Sequence, residues 1–357
     1  MKNIKIELQT LLIVLSILAV LSFTVGGYLY YSSLREFSKA RAYKESAEHL
    51  RDLGNNMDAF LNWSLLSVKS IAGLREIKKS LLNSDEITPA DTNALLEQFC
   101  HDLNVSVCYL MDYSGNTVAS SNHGDPNSFV GKNYGFRPYF KQAIQGKPSV
   151  YMALGITSME RGIYYSHPVF GKDEKEPLGV VVIKASIELI ERDFMKSFQG
   201  IVLLIDPHGV IFISNRLDWL YHLLWQTSSE TIPVIEKEGQ FGKGPWNWTG
   251  MKRIDEEYAS DLLGNQYHVH KQALVNYPDW HLVYLQSHDE IMKTIIEPLQ
   301  PVGLVVMVLC VFFGFIVFFL FFKANTEIVQ RKTAEMEQKQ ALSKLKATLE
   351  STADGSL

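Results

Sequence analysis

The chain has 357 residues, of which 46% are hydrophobic and 20% charged, and a formal net charge of −5. Without a basic excess there is no electrostatic footing for nucleic acid. Three cysteines are too few for a disulfide framework, although Cys100 and Cys108 leave one bridge open as an alternative to two buried thiols.

In chain order, an apolar belt from Leu11 to Tyr31 comes first, and a second belt runs from Pro301 to Phe322. Each is long enough to cross a hydrocarbon core of ~30 Å as a helix. Lys2 and Lys5 precede the first belt, as in a signal peptide. The apolar run nevertheless continues to Val25 and ends in Tyr28-Leu29-Tyr30-Tyr31, without a small-x-small cleavage site, which predicts a retained anchor. Arg35, Lys39, Arg41 and Lys44 beyond this belt argue against a cytoplasmic N-terminus. The second belt is clearer, with Asp289, Glu290, Lys293 and Glu297 before it and Lys323, Arg331, Lys332 and Lys339 after it. Positive residues mark the cytoplasmic end of a span, and a long translocated domain is largely exempt. Both termini, beginning with residues 1–10, are therefore expected in the cytoplasm of a bacterial inner membrane protein whose sensor domain is periplasmic or extracellular.

Residues 32–82 read as one long helix. Tyr43, Ala47, Leu50, Gly54, Met57, Leu61, Ser64, Val68 and Ile71 recur at 4-3-4-3 spacing, a seam against a partner helix or against the domain's own sheets. Two α+β modules follow, at 83–197 and 198–297. The first combines a helix at 91–102, a hairpin of 105–112 and 117–121, a helix at 139–145, and strands at 149–154, 162–169 and 179–185. The second has a hairpin of 201–206 and 210–214, a helix near 219–224, and strands at 253–262, 265–274 and 281–286. Leu110-Met111-Asp112-Tyr113-Ser114-Gly115 and Leu204-Ile205-Asp206-Pro207-His208-Gly209 repeat one hairpin cue, which predicts a duplicated sheet domain. A charged helix at 323–350 follows the second belt, with a thin apolar stripe suited to weak pairing across a dimer.

The densest polar cluster lies between residues 135 and 184. Lys184 ends an apolar strand on the face of Val180 and Val182, so its ammonium must reach water or meet an anion. Strand alternation puts Tyr164 and Ser166 on one face together. Thr157 and Ser158 lie in a short loop between Gly155 and Gly162, where backbone amides can turn toward a ligand. Arg137 and Arg161 offer planar forks suited to carboxylate. Cations and hydroxyls without an acidic partner read as an anion receptor, and two separated cations suggest two negative groups.

The runs Arg137-Pro138-Tyr139-Phe140, Ala153-Leu154-Gly155 through Pro168-Val169 and Gly179-Val180-Val181-Val182-Ile183-Lys184 resemble the double-Cache sensor domain of the DctB-type dicarboxylate-sensing histidine kinases. The resemblance covers residues 35–295. It implies an α+β fold in which a long N-terminal helix carries two PAS-like antiparallel-sheet modules, flanked by two transmembrane helices, with a small carboxylate ligand in the membrane-distal module. Tyr164, Ser166 and Lys184 match the family's ligand-binding strand residues. Arg137, Tyr139, Thr157, Ser158 and Arg161 match its flanking motif. Family members often have Thr or Ser where Ile156 stands, Gly where Met159 stands and Tyr where Ile163 stands. A related subgroup binds amino acids through an aspartate, and no acid occupies the strand Ile163–Phe170. That favours an organic acid over an amino acid.

The expected protein is a homodimeric transmembrane receptor that relays binding of a small organic acid through its second membrane helix. Its output domain, a histidine kinase or a diguanylate cyclase, would follow a PAS-like start at 351–357. No catalytic signature is visible, and no cofactor or metal is expected. His268 and His270 share a strand face without a third ligand, which reads as alternation on an exposed strand. The alternative is a membrane-anchored interaction protein whose sheets bind a protein partner.

Overall fold

A computed structural model describes residues 2–82, 85–172, 175–196 and 198–353. Two of the expected module limits, 83 and 197, fall outside the described residues, as does 354–357 of the PAS-like start. The chain divides into two units, residues 1–42 with 292–357 and residues 43–291.

The first unit consists of parts of two helices, α1 (Lys2–Gly73) and α7 (His288–Ala353). Each carries a stretch long and apolar enough to cross a membrane, with its apolar side chains facing outward. Within the unit Phe23 stacks on Phe313, ring centroids 4.7 Å apart. Gly27 sits against Val306, and Gly303 against the ring of Tyr31, so small residues let the two backbones approach.

In the second unit the 4-3-4-3 seam of α1 is buried against the domain's own sheets from Leu50 onward, whereas Ala47 is exposed and Tyr43 half-buried. Leu50, Met57, Leu61, Val68 and Ile71 are at most 2% exposed and share one core with residues of both sheets. The expected single helix to residue 82 breaks at Leu74, whose extended backbone (ψ 140°) separates α1 from α2 (Arg75–Leu81). Next comes α3 (Pro89–Asp102), closed by a capping box between Thr88 and Asp91.

The distal sheet contains β1 (Val107–Asp112), β2 (Thr117–Ser120), β3 (Ser149–Leu154), β4 (Arg161–Phe170) and β5 (Pro177–Ser186), with α4 (Pro138–Ala143) inserted before β3. Its order is β2-β1-β5-β4-β3, all antiparallel. Helix α5 (Glu188–Phe194) leads to the proximal sheet, made of β6 (Ile201–Ile205), β7 (Ile211–Ser214), β8 (Lys252–Arg253), β9 (Tyr258–Ser260), β10 (Gln266–Ala273) and β11 (His281–Ser287). Its order β7-β6-β11-β10-β9-β8 repeats the distal plan with one strand added.

The repeated hairpins share one turn chemistry. Asp112 Oδ1 accepts the amides of Ser114 and Asn116, and Asp206 Oδ1 accepts those of His208 and Val210. Gly115 and Gly209 each sit near φ +85° (84° and 86°), where a side chain would be strained. Asp261 makes the same bonds to Leu263 and Asn265, on either side of Gly264, a third copy of the turn.

Two proximal expectations are corrected. Residues 217–219 form only a short 3-10 turn, and the helix of this module is α6 (Thr231–Glu238). The expected strand 253–262 is two short strands around a turn at Asp255. His268 and His270 are not on an exposed strand face. They are buried against Tyr43 of α1, with His268 Nδ1 and His270 Nε2 3.1 Å apart.

Candidate functional site

Strand alternation divides the distal sheet. Cys108, Leu110, Ile163, Tyr165, Val181 and Ile183 face the core shared with α1, whereas Tyr109, Tyr164, Val180 and Val182 join a second core under α4. The second face carries a small cavity lined by Tyr109, Phe129, Tyr134, Arg137, Tyr139, Gly155, Ile156, Thr157 and Tyr164. Its free space is about 10 Å³, which admits the centre of roughly one water molecule.

Arg137 is placed by the residue after it. Pro138 holds Arg137 extended (ψ 139°) and starts α4, so the arginine stands at the helix entry with its side chain directed inward. It is 4% exposed. Its Nη2 donates to the Leu154 carbonyl at 2.8 Å, and its guanidinium lies 5.4 and 5.8 Å from the ring centres of Tyr151 and Tyr164. No carboxylate pairs with it among the described residues. One turn into α4, the Tyr139 ring stacks on Tyr164 (centroids 5.2 Å apart, planes 1° apart) and its hydroxyl accepts from Tyr109 at 2.7 Å. Burial raises the hydroxyls of Tyr109, Tyr139, Tyr151 and Tyr164, the last two to about 12, so all remain neutral donors at pH 7.

Residues 155–160 form a lid over the cavity. Thr157 and Tyr134 hydroxyls meet at 2.7 Å. Gly155 is a requirement of close approach, since a Cβ there would lie 2.6 Å from Ser158 Oγ and 2.7 Å from the Tyr164 hydroxyl. Met159 sits at φ 53°, a left-handed conformation that favours glycine over a residue with a side chain.

Lys184 lies opposite Tyr164 in register and its side chain is 1% exposed. Its Nζ donates to Ser158 Oγ at 2.8 Å and reaches Glu160 Oε2 at 3.4 Å. Burial lowers its pKa, and the Glu160 charge opposes that shift. Gly162 leaves room for its stem, because a Cβ there would lie 2.7 Å from Lys184 Cε.

The structure brings Arg137, Tyr139, Thr157 and Tyr164 together around the cavity. Ser158 belongs to the lid, and Lys184 stands behind it, bonded to Ser158. Ser166 does not reach the cavity and instead donates to the carbonyls of Tyr139 and Ser149, fastening α4 to the sheet. Arg161 also points elsewhere. It grips Glu191 of α5 (2.6 and 3.1 Å) and donates to the Phe212 carbonyl of β7. The expectation of cations without acidic partners is thus corrected for Lys184 and Arg161, which pair with Glu160 and Glu191. Tyr109, Phe129 and Tyr134 were not foreseen. Tyr109 could have been found from strand alternation, whereas the other two lie in an irregular loop with no periodic signal.

The lid is tied to the proximal module on both flanks. Leu154 donates its amide to the Gln240 carbonyl at 3.0 Å, and Gln240 Nε2 donates to the Met152 carbonyl at 2.6 Å. At the other flank stands Arg161 with Glu191 and Phe212.

Residues 34–295 match the Cache domain family. The C4-dicarboxylate transport sensor protein DctB of Pseudomonas aeruginosa is 34% identical over 153 residues, 43% of this chain and 24% of that protein. The chain spans about a quarter of the length of the curated relatives it matches. The V. cholerae histidine kinase DctB sensor domain superposes with a TM-score of 0.64 at 28% identity, over 70% of this chain and 98% of that one. The ligand-binding domain of the Campylobacter jejuni chemoreceptor Tlp3, solved with 4-methylisoleucine, shares the fold at 17% identity (TM-score 0.50, 73% and 95% covered).

Proposed function

The chain belongs to the Cache domain family as a sensor of the DctB type, and on that premise we propose that it is a membrane receptor for a small organic acid, bound by Arg137 in the distal cavity. One observation carries this reading: a guanidinium buried to 4% exposure faces a tyrosine-lined cavity, with no carboxylate to neutralise it among the described residues. An ionised group left in that setting is costly, and a ligand carboxylate relieves the cost through charge-assisted hydrogen bonds. The lining holds no acid that would bind an ammonium, which favours an organic acid over an amino acid.

A dicarboxylate is the preferred class. Lys184, the second buried cation of this face, is paired with the largely exposed Glu160 carboxylate, and a second ligand carboxylate could exchange with it when the lid moves. Because the cavity admits about one water, binding requires the lid 155–160 to open. The flanking ties at Leu154 and Arg161 support a relay in which lid movement shifts the proximal module and then the helices that lead into the membrane. A ligand can drive such a shift only through different affinities for two states. The output of the whole protein, in keeping with its relatives, would be a histidine kinase.

The test is thermal unfolding of the full chain in detergent against organic acids and amino acids. Binding raises the midpoint by mass action. Stabilisation by diacids, lost in Lys184→Ala, supports the reading. Stabilisation by amino acids alone overturns the ligand class, and no response to any compound favours a protein partner.

A further inference from the structure

We propose that Asp58 is a positioning residue that fixes the register of α1 on the β10–β11 hairpin, so that this one hairpin carries both helices that lead to the apolar belts. Asp58 lies on the buried side of α1 and is 6% exposed. Its Oδ2 accepts the Val275 amide at 2.7 Å, and its Oδ1 accepts the Asn276 amide at 3.2 Å and Asn276 Nδ2 at 3.3 Å. Two consecutive backbone amides aimed at one carboxylate make an anion-binding concavity. They belong to the turn between β10 and β11. That turn closes itself through the Leu274 amide on the Trp280 carbonyl and the Trp280 amide on the Tyr277 carbonyl, and it gives the amides of Val275 and Asn276 to α1. A carboxylate at this depth is costly unless it meets such donors, so its place is specific to this contact.

The apolar part of the seam does not supply that specificity. Leu50, Leu53, Met57 and Leu61 share a core with Leu274, Leu282 and Tyr284. Apolar burial is non-directional, and apolar residues recur at every turn of this stretch. A slip of α1 by four residues, about 6 Å, therefore exchanges one apolar contact for another. A polar residue set within such a seam selects one register. The same slip would put Gly54 or Asn62 against the turn amides in place of the carboxylate. Gly54, one turn before Asp58, lets helix and hairpin come close enough for the contact. A Cβ there would lie 3.3 Å from Gln272 Cγ and 3.6 Å from Leu282 Cδ1.

The hairpin also meets α1 at the end away from its turn. There Tyr267 pairs with Ser287, and Ser46 Oγ of α1 donates to Gln286 Oε1 at 3.0 Å. Helix α7 begins at the next residue, His288. Movement of the hairpin is thus passed to α1 through Asp58 and Ser46, and to α7 through the chain itself. That consequence for signalling rests on the receptor reading, whereas the register assignment does not depend on any ligand.

The test uses the full chain in detergent without ligand. Ser46→Cys and Gln286→Cys are joined by a short bifunctional thiol reagent, a pair of changes that also removes the Ser46–Gln286 bond as an alternative hold. Mass spectrometry of the linked peptides distinguishes this link from any made by Cys100, Cys108 or Cys310. The 46–286 link should form when Asp58 is present and in Asp58→Asn, which keeps an oxygen for the turn amides. It should be largely lost in Asp58→Leu, while a cooperative thermal transition shows that this variant still folds. A carboxylate that merely stabilised the fold would shift the transition and leave the link in place, and an undiminished link in folded Asp58→Leu would overturn the proposal. If Asp58→Leu does not fold, hydrogen exchange of the unsubstituted chain decides. The Val275 and Asn276 amides should exchange as slowly as those of the adjoining strands, although the Val275 side chain is 72% exposed. Exchange at the rate of an open turn would equally overturn it.

Discussion

Arg137 donates to the carbonyl oxygen of Leu154, the residue whose amide donates in turn to Gln240 of the proximal module. The buried cation of the cavity and the neighbouring module thus hold opposite faces of one residue's backbone. A ligand that draws the guanidinium toward its own carboxylate must stretch or release the Leu154 bond. The proposed recognition residue thus lies one hydrogen bond away from an inter-module contact.

The Arg161–Glu191 pair should act as the second anchor of the lid. Both side chains are 16% exposed, so breaking the pair on one side strands a mostly buried charge. Arg161→Ala is expected to cost about 3 kcal/mol, near the lower end for buried pairs. In a double-mutant cycle with Glu191→Ala, the double variant should lose much less than the sum of the singles. Hydrogen exchange should show ligand-induced protection at 211–214 in the wild type and little of it in Arg161→Ala. Equal protection in both would detach the lid from the relay.

Met159 holds a left-handed backbone with its side chain 68% exposed, so it bears strain and contributes little packing. Met159→Gly should relieve ~1–2 kcal/mol of strain and add ~0.5–1 kcal/mol of unfolded-state entropy cost. The net gain expected in chemical denaturation is up to about 1.5 kcal/mol. Gly162→Ala should do the opposite: its methyl meets the Lys184 stem at 2.7 Å, and overpacking of this kind costs about 1–3 kcal/mol.

The buried His270 predicts a pH dependence. Burial first, and then the proximity of His268, lower it from 6.5 to about 4. The unfolded chain therefore binds a proton between about pH 6.5 and 4 that the folded chain refuses. Its contribution is full above 6.5 and is lost as the pH falls toward 4. Asp206 works in the opposite sense over an overlapping range, because burial raises it from 3.8 to about 6. The informative quantity is accordingly the wild-type curve minus that of His270→Gln, which should rise with pH across this window. A flat difference would show that His270 does not titrate differently on folding.

Much of this was legible because it is local. Asp112 and Asp206 announce their turns within five residues, and the α1 seam announces its buried face within two helical turns. The third turn at Asp261 carries the same spacing but follows a three-residue strand, too short for a recognisable apolar run. Residues 219–224 read as a helix because Trp219, Leu223 and Leu224 are apolar at helical spacing. In the fold they bury that surface from an irregular segment in which Tyr221 adopts φ 62° and Leu223 bridges to Val210 and Trp248. The site divides in the same way. Arg137 could be read from Pro138 beside it. The partner of Arg161 is Glu191 in the helix that links the modules, and that of Lys184 is a glutamate on a turning loop, pairings that no periodicity encodes.

The most direct test of the account is titration calorimetry of the full chain with the diacid that stabilises it most. Arg137→Gln should weaken binding by about 10- to 150-fold, the equivalent of ~1.5–3 kcal/mol for a hydrogen bond to a charged group. The diamide of the same compound should fail to bind the wild type. Undiminished affinity in Arg137→Gln, or equal binding of acid and amide, would contradict the assignment of this arginine as the carboxylate receptor.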